Sequence, residues 1–376
     1  QCPTCLCLSE AKGMTKKMKK ELIKMLKFAY REVPIYVNSN LFIDSEIDRI
    51  INSADFEKIP FTNKDKLIKN GEDIISASYI PKFLKNGLHH EATSGSSGKY
   101  LNIYWDERDY IKSMAQLWIL RKKYYGISPE DRLCYFYTMH DIDIDKEKDE
   151  YLEKNSISFS KINLSTSRII EVYRKMCEYR PRWLLLQPSV AVLMCQCIKN
   201  EKLEKLDSVE YVEFTGEILT EEVRRMTNET FNCCVANQYG ANEFNSIAYE
   251  CPCGNMHIMD SNVYVEVVDD TGNNINCEVG DICVTTLSNN AMPLIRYKIG
   301  DIGMLTNKKC KCGNKAQIIS LMSGRSNDYI LCEDGIKITS YVFVRAVDNV
   351  NMVMNGIIKQ FNIIQKDINC FEIIFV

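Results

Sequence analysis

Apolar residues recur along this chain at two spacings. Met18, Leu22, Ile23, Leu26 and Ala29 fall at the three-to-four-residue interval of a helix, with lysines between them, and predict an amphipathic helix over 14–30. Its lysine face reads as solvated rather than as a membrane-binding surface. Residues 106–125 predict a second helix, with Ile111, Met114, Leu117 and Leu120 on one face, and 133–137 predict a buried strand. From 168 to about 248 the two periods alternate. Helices are expected over 169–179, 190–199 and 221–231, and strands over 183–186, 209–214 and 234–238. Such alternation predicts an α/β fold with a largely parallel sheet covered by helices. Beyond residue 257 strands dominate, at 263–268, 280–287 and 302–306, joined by turns such as Asp270-Thr271-Gly272. That stretch is expected to be a β-rich subdomain.

Composition narrows the function classes. The chain has 376 residues, 45% of them hydrophobic and 26% charged, which suits a globular protein of two or three domains, or one large domain with a smaller partner. A net charge of −3 argues against nucleic-acid and membrane partners. The most apolar stretch, 183–194, is interrupted by Gln187, Pro188 and Ser189, so no apolar run reaches transmembrane length. The chain starts at Gln1 with no secretory pattern and reads as trimmed or partial. Seventeen cysteines in a chain of this size predict reduced thiols and metal ligands in a cytoplasmic setting, not a disulfide scaffold. Cys2, Cys5 and Cys7 have no neighbouring His or fourth Cys and read as a loose terminus. Asp141, Asp143 and Asp145 mimic the start of an EF-hand loop. However, Lys146 stands where Gly is needed and Leu152 where the closing Glu belongs, so 141–155 reads as a solvated acidic loop.

The chemistry gathers in separated segments. Thr93-Ser94-Gly95-Ser96-Ser97-Gly98-Lys99 combines backbone freedom, hydroxyl donors and one cation, which is what holding a nucleoside triphosphate requires. It is not a Walker A loop, because only Ser96 and Ser97 separate Gly95 from Gly98 and Tyr100 follows the lysine. A Ser/Gly surface loop is the plainer reading. Tyr239-Gly240-Ala241-Asn242-Glu243 follows a predicted strand and offers an aromatic face for adenine, a glycine for close approach and a carboxylate for Mg²⁺. Thr215-Gly216-Glu217 sits at another strand end. Arg296-Tyr297-Lys298-Ile299-Gly300-Asp301 ends in an acid that could accept two ribose hydroxyls, and Gly324-Arg325-Ser326-Asn327-Asp328 places an arginine after a glycine. Each alone also reads as a turn, a surface salt bridge or a helix cap.

Taken together and in this order, the segments resemble the acyl-adenylate-forming enzymes, in their phenylacetate–CoA ligase and CapK-like branch. The resemblance covers about residues 20–376 and rests on four ordered motifs. The phosphate loop is matched by 93–99, with Ser97 for the usual Thr and Tyr100 for the usual Pro. The Tyr-Gly-x-Thr-Glu motif is matched by 239–243, with Asn242 for Thr. The Arg-Tyr-x-x-Gly-Asp and Gly-Arg-x-x-Asp motifs are matched by 296–301 and 324–328.

The resemblance implies roles by position. Thr93, Ser94, Gly95, Ser96, Ser97, Gly98 and Lys99 would cradle the β- and γ-phosphates of ATP. Glu243 would hold Mg²⁺, and Asn242 would touch the α-phosphate. Thr215, Gly216, Glu217, Gln238, Tyr239 and Gly240 would line the adenine pocket, Asp301 would hold the ribose, and Arg325 would contact ribose or phosphate. Lys99, Asn242, Glu243 and Arg325 would be the catalytic set. The implied reaction activates a small carboxylic acid, aromatic acids included, as its acyl-adenylate and transfers the acyl group to the thiol of CoA. The alternatives are transfer to a carrier-protein phosphopantetheine, or a non-catalytic nucleotide-binding relative. The implied organisation is a large adenylating domain, 1–324, and a small α+β domain from 325 to 376 that hinges near Asp328. About fifty residues follow Gly324, fewer than the family's terminal domain usually has, and no terminal lysine can be assigned. A homodimer is left open.

One cluster remains. Cys251, Cys253 and His257 lie on one segment, and Cys310 and Cys312 on another. Cys-x-Cys-Gly turns present thiolates, so four of the five could close a structural zinc tetrahedron, or all could stay free thiols. The resembled branch often shows a Cys…His plus Cys-x-Cys pattern, which favours Cys251, His257, Cys310 and Cys312, with Cys253 in reserve. His89, His90 and His140 read as loop anchors or exposed side chains, and Tyr135, Tyr137 and Trp183 as core.

Overall fold

In the computed structural model, the alternating segment folds into a block of parallel strands. The structure describes residues 16–39, 47, 55–93, 100–137, 149–161, 164–325, 329–331, 333, 337–339, 343, 346–347, 350, 358 and 361–375. Cys2, Cys5, Cys7, His140 and the acidic triplet Asp141, Asp143 and Asp145 lie outside them, as do residues 94–99 and 326–328.

A two-stranded antiparallel ribbon is formed by β1 (His89–Ala92) and β2 (Asn102–Trp105). The main sheet begins with β3 (Leu133–Tyr137), β4 (Glu150–Leu152), β5 (Ser156–Ser160), β6 (Trp183–Leu186), β7 (Tyr211–Phe214) and β8 (Cys234–Tyr239). It continues through β9 (Ala248–Glu250), β10 (Met256–Ile258), β11 (Val263–Val268), β12 (Gly280–Thr286), β13 (Tyr297–Thr306) and β14 (Ile318–Arg325). These twelve strands form one sheet in the order 11-12-13-14-10-9-8-7-6-3-5-4. Strands β5, β3, β6, β7 and β8 run parallel to their neighbours, while β8 to β14 pair antiparallel and β4 closes the other edge antiparallel. Beyond it lie two small hairpins, β15 (Tyr329–Leu331) with β16 (Lys337–Thr339) and β17 (Phe361–Asp367) with β18 (Cys370–Phe375).

Helices cover both faces of the parallel block, as continuous apolar strands require. On one face, Val212 and Phe214 of β7 pack with Val172 and Met176 of the helix Thr166–Tyr179 and with Ala191 and Met194 of the helix Pro188–Asn200. On the other face lies the helix Glu107–Tyr125, started by Asp106, whose carboxylate accepts from the Arg108 amide at 3.0 Å, and stopped by Gly126 at φ 72°. Its Arg121 reaches Glu213 of β7 through two hydrogen bonds, one of 2.8 Å, and stacks 4.4 Å from the Trp118 ring and 5.1 Å from Trp183. Hydroxyls of Tyr211 and Tyr249 also donate to Glu213, at 3.0 and 3.2 Å. The buried carboxylate is therefore fully paired, which is the condition for tolerating it there.

The expected face of this helix is corrected. Ile111 is exposed, and the buried stripe runs through Asp109, Ser113, Leu117, Leu120 and Arg121. The helix uses polar side chains on its inner face because it covers a buried ion pair, and apolar periodicity could not reveal that. Every cysteine among the described residues is free, and no described helix is long and apolar enough to cross a membrane.

Candidate active site

Strand β3 lies between β5 and β6, so the parallel block grows outward in both directions from it. Reversal of strand order opens a crevice at the carboxyl ends of the strands. Facing that edge are Gln187 after β6, Thr215-Gly216-Glu217 after β7, and Gly240 to Asn245 after β8.

The loop after β8 is fixed by its glycine. A Cβ on Gly240 would sit 2.2 Å from the Asn245 carbonyl oxygen and 2.5 Å from Gln238 Nε2. Gly240→Ala is therefore expected to displace 240–245 and cost about 1–3 kcal/mol by overpacking, read as a lowered midpoint in urea unfolding. Gln238 is held by Thr215, whose hydroxyl donates to its side-chain oxygen at 2.5 Å. Gly216 turns at φ 80°. Glu217 accepts from the amide and hydroxyl of Ser189, at 2.9 and 2.7 Å, and so binds the amino end of the helix Pro188–Asn200.

Two of the sequence motifs meet through side chains, and the strand that leads into the third joins them beside Thr93. Asn242 donates to the carbonyl oxygen of Ala92 at 2.7 Å, joining the loop after β8 to the end of β1. Thr93 follows directly. Its amide donates to the Leu101 oxygen at 2.9 Å and its hydroxyl accepts from the Leu101 amide at 3.1 Å, which closes the base of the 94–100 segment. Ser94, Gly95, Ser96, Ser97, Gly98 and Lys99 themselves lie outside the described residues. The Tyr239 hydroxyl donates to Asp301 at 2.7 Å, and the Tyr297 hydroxyl donates to Glu243 at 3.0 Å. Strand β13, which carries Tyr297 and Asp301, is thus bonded twice to the Tyr-Gly-Ala-Asn-Glu segment.

Glu243 is buried, and burial pushes its carboxyl above the usual range. Its own backbone amide, the Tyr297 hydroxyl and the charge of Lys64 pull it back, while Asp301 pushes it further up. Asp301 and Lys64 thus act on Glu243 in opposite senses. Neither Tyr297 nor Lys64 was singled out as a site residue from sequence.

Arg296 serves the fold. It is fully buried at φ 45°, with two bonds of 3.2 Å to Glu266, one of 2.7 Å to the Ile59 carbonyl oxygen, and the Phe61 ring 4.1 Å away. The backbone of Arg325 pairs in register with Asp301, which brings the start of the Gly-Arg-x-x-Asp segment beside the acid; its side chain lies outside the described residues.

A second cluster lies on β10 and the adjoining turns. Ligand atoms of Cys251, His257, Cys310 and Cys312 all fall within 4.8 Å of one another. Cys251 and Cys310 sulfurs are 3.6 Å apart, and Cys312 sulfur lies 3.3 Å from His257 Nε2. The edge of a tetrahedron of zinc–sulfur bonds is about 3.8 Å, so the spacing fits a four-coordinate metal. His257 Nδ1 faces the Ala316 carbonyl oxygen at 3.1 Å, which leaves Nε2 for a ligand. The Cys312 amide holds the Cys310 thiol down at about 6. Cys253 is exposed and outside the cluster.

A polar cavity of about 480 Å³ lies at the opposite, amino end of the parallel strands, lined by residues such as Asp131, Arg182 and Glu210. Arg182 pairs there with both acids at 2.8 Å, and none of the motif residues lines it.

Comparison with known proteins follows the same line. No protein-family profile matches the chain. Phenylacetate-coenzyme A ligase of Thermus thermophilus is 25% identical over 321 residues, 82% of this chain and 70% of the relative. Protein CapK of Staphylococcus aureus is 23% identical over 361 residues, 93% of this chain and 77% of the relative. Among solved structures, 2-hydroxyisobutyryl-CoA ligase in the postadenylation state shares the fold with a TM-score of 0.73 at 17% identity, covering 94% of this chain and 75% of that one.

Proposed function

We propose that this chain, whose sequence and fold are those of the phenylacetate–CoA ligase-like branch of the adenylate-forming superfamily, activates a small carboxylic acid with ATP and passes its acyl group to CoA. The carrying observation is the bonding of three distant segments at one sheet edge: Asn242 to Ala92, Tyr239 to Asp301, and Glu243 to Tyr297.

In the first step a carboxylate oxygen of the acid attacks the α-phosphorus. The bond to the bridging oxygen breaks, and its electron pair leaves with pyrophosphate. In the second, the CoA thiolate attacks the acyl carbon and AMP departs. Asn242, which is exposed beside Ala92, would meet the phosphates, and Asp301 would accept ribose hydroxyls. Glu243 offers a hard oxygen ligand of the kind that suits Mg²⁺ and would hold it. Bound there, the ion supplies charge neutralisation of the pyrophosphate. Residues 94–99, with Lys99, and the Arg325 side chain enter this reading from their motifs alone.

ATP–pyrophosphate exchange across a panel of small acids, phenylacetate among them, tests the first step. Exchange that depends on one acid class supports the reading; exchange indifferent to every acid refutes it.

Cys251, His257, Cys310 and Cys312 would hold a structural zinc ion with no open position. The purified protein is then expected to carry about one zinc per chain. Cys310→Ser should lose the metal and melt at lower temperature, whereas Cys253→Ser should keep it. Metal analysis of the two variants decides, and retention of zinc by Cys310→Ser would contradict the assignment.

A further inference from the structure

The turn that carries Asn242 and Glu243 is pinned at both ends. Close packing fixes its start at Gly240. At its far end the Phe244 and Asn245 amides both donate to the Ala241 carbonyl oxygen, at 2.9 and 2.6 Å, which winds a single turn of chain. Asn245 then stops that turn at φ 59°, in the left-handed region. Asparagine is among the few residues besides glycine that adopt this conformation. The carbonyl oxygens that follow are all held by carboxamides. Asn262 Nδ2 donates to those of Phe244 and Ser246, at 2.8 and 2.6 Å, and Gln238 Nε2 to that of Asn245 at 3.4 Å.

The Asn245 side chain has a partner of its own. Its Nδ2 donates at 2.7 Å to the hydroxyl of Ser113, on the helix Glu107–Tyr125. Ser113 is buried, and its hydroxyl proton goes to the Tyr110 carbonyl oxygen at 2.7 Å, so toward Asn245 it serves as acceptor. The same helix is anchored to β7 by Arg121 and Glu213. Glycine at 245 would satisfy the backbone without any side chain. The asparagine adds a tie from the turn to a fixed helix. Phe244 is spent in the core, so the turn presents two polar side chains, Asn242, which is exposed, and Glu243, which Tyr297 holds.

We infer that Asn245 is a positioning residue for adenylation. Its left-handed backbone and its bond to Ser113 set where the turn delivers Asn242 and Glu243 to the α-phosphate end of the nucleotide. This rests on the adenylation reading above. Asn245 acts through those two side chains and is assigned no contact of its own. Alanine at 245 would lose the tie and strain the backbone as well, whereas glycine would lose the tie alone.

That difference separates positioning from plain stability. Acid-dependent ATP–pyrophosphate exchange, AMP binding by calorimetry and the urea midpoint are measured for wild type, Asn245→Ala, Asn245→Gly, Ser113→Ala and Asn245→Gly/Ser113→Ala. The control is Asn228→Ala, which removes a carboxamide bonded to the Cys233 carbonyl oxygen at 2.8 Å. Asn245→Ala is expected to lower kcat of exchange by about 10²-fold, the cost of misplacing catalytic groups by an ångström. It should weaken AMP by about tenfold, since one hydrogen bond to a charged phosphate is lost. Asn245→Gly and Ser113→Ala should each lose only about tenfold in kcat, and the double variant no more than either, because both remove the same bond. Asn228→Ala should keep kcat and AMP affinity whatever its urea midpoint. Wild-type kcat in Asn245→Ala, or in both Asn245→Gly and Ser113→Ala, overturns the inference and leaves the adenylation reading standing. So does a loss in Asn228→Ala as large as theirs, since activity would then follow stability. A wild-type protein that neither binds AMP nor exchanges with any acid overturns both. Should Asn245→Ala fail to fold, the glycine and Ser113 variants and their double decide.

Discussion

Glu243→Gln is expected to cut acid-dependent ATP–pyrophosphate exchange by about 10²–10³-fold, the usual cost of removing one preorganised electrostatic group from a transition state. The amide keeps an oxygen where the Tyr297 hydroxyl donates, so the 3.0 Å hydrogen bond can persist. It also removes a buried charge that desolvation already disfavours. The melting temperature should accordingly stay within a few degrees of wild type or rise. Loss of exchange with retained stability assigns Glu243 to the chemistry. Exchange at the wild-type rate would remove it from the machinery, and a collapse of stability would make it a folding residue.

The opposite pattern is expected at Arg296, although it belongs to a sequence motif of the site. Arg296→Met leaves the Glu266 carboxylate buried without its two 3.2 Å partners and strips a cation from the faces of Phe61 and Phe56. Removing one member of such a pair costs about 3–5 kcal/mol. The Ile59 carbonyl would lose its donor too, loosening the stretch that leads to Thr62 and Lys64. Urea unfolding reads the loss directly. Adding Glu266→Gln should restore part of the stability, because the stranded charge disappears with it. A single-variant change below about 1 kcal/mol would mean that the pair is solvated and that burial has been misjudged.

How far the fold and the site were legible from sequence follows from which forces leave a periodic trace. The helix over 221–231 and the strand over 263–268 match the structure residue for residue, the first because its apolar residues keep the helical interval and the second because Val263, Val265 and Val267 keep the strand interval. Strand β13 was expected to begin at 302 and begins at Tyr297. The missed half is Tyr297-Lys298-Ile299-Gly300-Asp301, where the polar side chains and the turn of Gly300 at φ 89° break the alternation. A strand that opens with lysine, glycine and aspartate cannot also look like a core strand. The same conflict hid the inner face of the helix Glu107–Tyr125, where Asp109 and Arg121 are buried and Ile111 is not.

The site was legible as motifs and illegible as contacts. Tyr239, Asn242, Glu243 and Asp301 stand out because glycine and charged residues cluster around them at strand ends. Lys64 does not stand out: a lysine after an Asn cap reads as one more solvated charge. Its charge acts on Glu243, far away in sequence, and nothing in the local pattern around Asn63 announces that. Glu217 shows the reverse. Its motif suggested a place in the adenine pocket, and what the structure shows is its carboxylate holding the amino end of the helix Pro188–Asn200 through Ser189.

The central claim is that distant segments converge on one nucleotide to make an acyl-adenylate. Mass spectrometry of a reaction holding the wild-type protein, ATP, Mg²⁺, an accepted acid and CoA tests it most directly. The account predicts AMP, pyrophosphate and the acyl-CoA thioester in equal amounts. ADP with inorganic phosphate, or ATP turnover that ignores the acid, would contradict it.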